Sequence, residues 1–122
     1  MTVTVHATNL LTANQRLHHH RRAEITRILR GSAASNAVVQ EVGRFDRAHV
    51  VVTVTWPDRR RRDVLNIAPT VKALIDGMTD AGCWPDDDDA HLVGPDFRVS
   101  GELSGIKGVT RLVFDIRPAG GQ

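Results

Sequence analysis

The sequence predicts an α+β domain: a mixed β-sheet with two main helices packed on it. Three observations carry this expectation. Polar and apolar residues alternate at the N-terminus, apolar residues recur at helical spacing in two later stretches, and β-branched runs stand between and after those stretches.

Thr2-Val3-Thr4-Val5-His6-Ala7 alternates with the period of two that places one side of a strand on a core. From about Asn14 to Ala34 the period becomes helical, with Leu17, Ile25, Ile28 and Leu29 sharing a face and His and Arg opposite. Gly31 and the following Ser-Ala-Ala-Ser-Asn run are expected to close this helix. Ala37–Val42 and His49–Thr55 are expected strands, separated by Gly43-Arg44-Phe45-Asp46. The second is β-branched and apolar enough to lie centrally in a sheet.

Pro69 near a first turn, with Thr70 beside it, signals a second helix. Ile67, Val71, Leu74, Ile75 and Met78 form its buried stripe, and Gly82 is its stop. His91–Val99 and Val109–Ile116 are the last strands, joined by a Gly/Ser loop around 101–108. The expected order is strand, helix, strand, strand, helix, strand, strand. A single domain over 1–117 follows from the length, with 118–122 a frayed end.

The composition is that of an ordinary soluble globular chain, 41% hydrophobic and 25% charged. Two Trp, three Phe and no Tyr argue against a module that stacks single-stranded bases on aromatic platforms. One cysteine, Cys83, excludes an intrachain disulfide or a cysteine zinc site. No run approaches membrane-spanning length, and the N-terminus lacks the pattern of a signal peptide, so the expected setting is the cytoplasm without membrane contact.

Net charge is only +2, but the signs are segregated. Arg16, Arg21, Arg22, Arg27 and Arg30 form one basic stretch and Arg59–Arg62 a second, while Asp86–Asp89 concentrates negative charge. Basic patches beside clustered carboxylates suit a phosphodiester ligand together with divalent cations. The four arginines of the second stretch lie between a strand and a helix start, where rigid elements aim loop side chains. Guanidiniums offer planar forks for phosphate oxygens, although a basic run read alone is more often a solvated surface or a targeting signal. Four adjacent carboxylates repel one another unless cations neutralise them, and Mg²⁺ prefers such oxygen ligands; a solvated acidic turn has the same composition. On a helix, successive side chains point about 100° apart, so His18, His19 and His20 are expected to be poor joint ligands. His91, alone beside the acidic run, suits a structural or supporting role as well as a ligand's.

Taken in order, these pieces resemble the RusA family of Holliday junction resolvases. The likeness is carried by Pro57-Asp58-Arg59-Arg60-Arg61-Arg62-Asp63-Val64-Leu65-Asn66, then a helix with Lys72 and Asp76-Gly77, then Asp80-Ala81-Gly82, Trp84 and paired aspartates. Thr12-Ala13-Asn14-Gln15-Arg16 is similar to the family's stretch after the first strand. The resemblance implies a RusA-like fold and a homodimeric nuclease that uses Mg²⁺, with Mn²⁺ as a substitute, to nick four-way DNA junctions symmetrically. It assigns Asp63 as a metal-binding aspartate, Asn66 as the asparagine that follows, and Lys72 as the helix lysine, about one turn later than usual. Counting forward from Gly82 makes Asp86 and Asp87 the paired aspartates; counting back from the next strand makes them Asp88 and Asp89. Leu65 stands where the family places a second aspartate, which leaves a junction-binding protein without strong cleavage as the alternative. In the cleavage mechanism Asp63 with Asp87 or Asp89 would hold the metal and Lys72 would steady developing charge. Arg16, Arg21, Arg22, Arg59, Arg60, Arg61, Arg62 and Lys107 would grip the DNA backbone.

Overall fold

The computed structural model describes residues 1–120. A four-stranded mixed sheet is covered on one face by two helices. Strand β1 spans Thr2–His6, helix α1 His19–Val39, β2 Ala48–Thr55, α2 Ala68–Asp80, β3 Leu92–Val99 and β4 Val109–Pro118, with a 3-10 turn at Val64–Ile67 leading into α2. The strand order is β1-β4-β2-β3. β4 runs antiparallel to both neighbours and β2 runs parallel to β3. A parallel pair needs a crossover, and α2 lies within it.

Alternation decides the faces. Val3 and Val5 of β1, Val50, Val52 and Val54 of β2, and Leu112 and Phe114 of β4 are buried beneath the helices. On the opposite face Thr2, Val113 and Thr53 line up across three strands, with Val113 36% exposed. The helices contribute Ile25, Leu29, Ala33 and Ala37 from α1 and Val71, Leu74, Ile75 and Met78 from α2 to the same core. The stripe expected on α2 is therefore buried throughout. Pro69 falls in its first turn, where a missing N–H costs nothing, and buried Thr70 exchanges hydrogen bonds with both backbone groups of Leu11 at 2.7 and 2.8 Å.

Both helices end in the same way, with different residues. After α2, Gly82 takes φ +85° while its N–H bonds to Thr79 O and that of Cys83 to Met78 O. After α1, Glu41 takes φ +55° while its N–H bonds to Val38 O and that of Val42 to Ala37 O. These are paired 5→2 and 6→1 bonds around one left-handed residue. Glycine announces the first in sequence; the second uses a glutamate, and sequence reading missed it.

That ending corrects the expected first half. The helix does not begin at Asn14 or close at Gly31; it starts at His19 and runs to Val39, so Leu17 lies outside it and Ile28 is 44% exposed. The strand expected over Ala37–Val42 is the last turn of α1 and its cap, and the element order has one strand fewer. Val38 and Val39 are 71% and 79% exposed, so their β-branched character reports no buried strand. The small residues near Gly31 are a packing surface: Ala33 is fully buried, and a Cβ on Gly77 of α2 would lie 2.3 Å from Arg30 O and 2.8 Å from Ala33 Cβ. Close helix approach explains them, rather than termination.

At the C-terminus β4 extends through Pro118, Ala119 donates to Arg47 O at 2.9 Å, and Gly120 O accepts from Arg47 Nη1 at 2.7 Å. The tail expected to fray from 118 is thus tied down as far as 120, and residues 121–122 lie outside the described residues. Among the described residues no helix is long and apolar enough to cross a membrane.

Candidate active site

The arginine run occupies the connection from β2 to α2. Asp58 organises it: its Oδ1 accepts from Arg60 N at 3.0 Å and pairs with Arg62 Nη2 at 2.8 Å. The Arg60 backbone bond first, and the Arg62 guanidinium after it, hold the Asp58 carboxyl below the usual carboxylate range. Arg62 also donates to Asp58 O and Arg60 O and lies 4.9 Å from the Trp56 ring centroid. With its side chain 19% exposed, Arg62 is a brace for the loop. Arg59, Arg60 and Arg61 are exposed to solvent.

Asp63 caps the 3-10 turn, its Oδ1 accepting from Leu65 N at 3.0 Å. Asn66, one turn on, is stitched to the 12–16 loop: its carbonyl accepts from Ala13 N at 2.8 Å, and its side-chain oxygen lies 3.4 Å from Asn14 Nδ2. Two segments fifty residues apart thus meet around a cavity of about 270 Å³, bordered by Leu10, Thr12, Trp56, Arg60, Arg61, Arg62, Asp63 and Asn66. Leu65 is 61% exposed beside it. Arg16 is exposed on the 12–16 loop, and Lys107 is exposed on the β3–β4 connection.

The acidic run folds back along α2. Trp84, 2% exposed and donating to Thr79 Oγ1 at 2.7 Å, anchors the turn that carries it. Asp87 then reaches Lys72 Nζ, which also pairs with Asp76 Oδ1 at 2.8 Å. Asp76 first and Asp87 second push the Lys72 ammonium above its ordinary pKa. Lys72, followed by neighbouring Asp76, pulls the Asp87 carboxyl below its own. Asp86 Oδ1 accepts from Asp87 N at 2.7 Å. Asp88 turns the other way, its Oδ1 2.6 Å from His91 Nδ1 and its carbonyl accepting from His91 N and Leu92 N. His91 thus helps start β3, and Asp89 is exposed. Of the four loop aspartates, Asp87 is the one clasped to α2.

Beside this cluster lies a wider groove of about 730 Å³ lined by His19, Arg22, Thr26, Arg27 and Arg30 of α1 and by Asp80. Arg30 grips Asp80 through Nε and Nη2 at 3.0 and 2.8 Å. That pairing, with smaller contributions from Asp76 and Asp87, raises the Arg30 pKa, so the groove adjoins the carboxylates. Arg21 pairs instead with Glu24. The basic residues therefore divide between two surfaces, one around the 59–62 loop and one along α1.

Asp63 and Asp87 belong to separate hydrogen-bonded groups. Among the described residues, only His18, His19 and His20 bring three potential ligand atoms together, within 4.8 Å of one another. Not all three lie on the helix as expected: His18 precedes it, at φ −58° and ψ 141°, and its ring folds over the first turn. Sequence reading also missed Asp76 as Lys72's second partner, although the i, i+4 spacing signals such a pair. Arg30–Asp80 carries no such signal, because only the α1–α2 packing brings the two together. A comparison with family models finds no match to this chain, and a comparison with curated proteins finds none.

Proposed function

We propose that the chain is a metal-dependent endonuclease of branched DNA that resolves four-way junctions by paired nicks. The observation that carries the reading is the meeting of Asp76 and Asp87 on Lys72, beside the basic groove along α1. The donor set fits a hard divalent cation: it consists of carboxylate oxygens, one held below its ordinary pKa and so ionised across the neutral range. Asp87 and Asp76 would hold Mg²⁺ or Mn²⁺, with Asp63 and the remaining loop aspartates as further candidates. Such an ion polarises a phosphodiester and acidifies its bound water. Lys72, an ammonium across the working range, would balance negative charge building on the phosphate oxygens. Arg59, Arg60 and Arg61 on one surface and Arg22 on the other would hold the backbone without reading bases. A homodimer would supply two related sites for two symmetric cuts.

The test is a synthetic four-way junction with Mg²⁺. The native chain should release paired nicked products, and Asp63→Asn and Asp87→Asn should each cut at least about a hundredfold more slowly, the scale of losing a key charged group. Equal cutting by the native chain and Asp87→Asn would overturn the site.

A second reading rests on Leu65, an exposed aliphatic side chain beside Asp63 where a further carboxylate would strengthen cation binding. On that reading the chain binds junctions without cutting them. Binding would weaken steeply with salt, and neither Mg²⁺ nor Mn²⁺ would produce nicks.

A further inference from the structure

We propose a separate transition-metal site at the start of α1, formed by the imidazoles of His18, His19 and His20. Their rings lie against one another, with centroids 4.4, 5.0 and 4.1 Å apart, and one ligand atom from each falls within 4.8 Å of the others. The backbone creates the cluster. His18 Nδ1 accepts from His20 N at 3.2 Å as the helix cap, which pins the ring over the first turn; ligation through Nε2 moves the ring proton to Nδ1 and gives up this bond.

The other three histidines have side-chain partners: His6 with Thr8, His49 with Asp96 and His91 with Asp88. Among the described residues, the ring nitrogens of His19 and His20 have none, so two unengaged imidazoles stand beside the capping ring in solvent. Nitrogen donors without a carboxylate select Zn²⁺, Ni²⁺ or Cu²⁺ over Mg²⁺. Tetrahedral zinc with bonds of about 2.0–2.1 Å puts its donor nitrogens roughly 3.4 Å apart. The widest separation here is 4.8 Å. Two ring pairs are near-parallel, at 27° and 28°, so the exposed rings must also turn out of their stack for the lone pairs to converge, leaving the fourth position to water.

Two features set the affinity. The helix N-terminus and nearby Arg22 oppose a cation, which keeps the site weaker than a closed structural zinc site. Arg21 is already paired with Glu24 and opposes it less. His19 also lines the basic groove, so a bound ion would sit at the end of that groove.

The experiment is calorimetric titration of the untagged full chain with NiCl₂ and with ZnCl₂, in a non-chelating buffer containing excess Mg²⁺. One equivalent should bind. His19→Ala and His20→Ala should each weaken it at least about tenfold, since removing a ligand costs no less than removing its supporting partner. His18→Asn keeps a capping oxygen but removes the ring, and should weaken binding equally while circular dichroism shows the helix intact. His91→Ala should bind as the native chain does. The proposal is overturned if no equivalent binds, if the three substitutions leave affinity unchanged, or if His91→Ala abolishes binding and so moves the ion to the acidic loop.

Discussion

Lys72 and Asp87 are fifteen residues apart in the chain and in direct contact in the fold, joining the second turn of α2 to the loop beyond its far end. Helix spacing explains the partnership of Lys72 with Asp76; it does not reach Asp87. The clasp is half open to water, with side chains 62% and 26% exposed.

Its contribution to stability should depend on pH at both extremes. The Asp87 carboxyl is lowered from its ordinary 3.8, so its share is present above that value and lost as pH falls below it. The Lys72 ammonium is raised from 10.5, so its share is present below that value and lost as pH rises beyond it. Exposure limits the total to on the order of 1 kcal/mol. Asp87→Asn should lower the melting temperature by a few degrees at pH 7, and the difference from the native chain should shrink in acid. An unchanged gap at low pH would mean that the clasp is not its source.

Gly77→Ala should be strongly destabilising, because the added carbon meets Arg30 O at 2.3 Å across the helix contact. Overpacking at backbone costs about 2–3 kcal/mol. Gly31→Ala is the contrast: nothing lies within 4 Å of its added carbon, and the site is inside a helix. There alanine should stabilise by up to about 1 kcal/mol. Urea denaturation of the two variants would check both signs.

Leu65→Asp should raise Mg²⁺-dependent nicking of four-way junctions if the nuclease reading holds, by adding a carboxylate beside Asp63. Since Leu65 is 61% exposed, stability should shift by no more than about 0.5 kcal/mol. An unchanged cutting rate would separate this position from cation binding.

Cys83 should resist thiol reagents in the folded chain. It is 3% exposed and burial raises its thiol pKa, opposed only by Arg44. Labelling by a chromogenic disulfide should be slow in native buffer and complete in denaturant, and rapid native labelling would mean that the α2 C-terminus opens easily.

Much of the second half was legible because its signals are local. Pro69 at the helix start, Gly82 past its end and an apolar stripe at helical spacing each specify α2 through backbone sterics and burial that act within a few residues. The first half was misread where local signals were ambiguous. Glu41 adopts a left-handed backbone without the glycine that marks such positions, and Ala33, Ala34 and Ala37 follow Gly31 in a pattern that suits a helix end as well as a helix contact. Only the presence of α2 against them makes the second meaning correct.

The same division runs through the candidate site. Sequence alone determined which residues carry charge and, apart from the strand expected over Ala37–Val42, where the strands and the second helix lie, since composition and periodicity are properties of contiguous chain. Tertiary structure decided which groups meet: Asp87 rather than Asp88 on Lys72, Arg30 on Asp80, Asn66 against the 12–16 loop, and three histidine rings in one cluster. Such pairings depend on how elements pack and on backbone angles at single cap residues, and sequence spacing does not encode those distances.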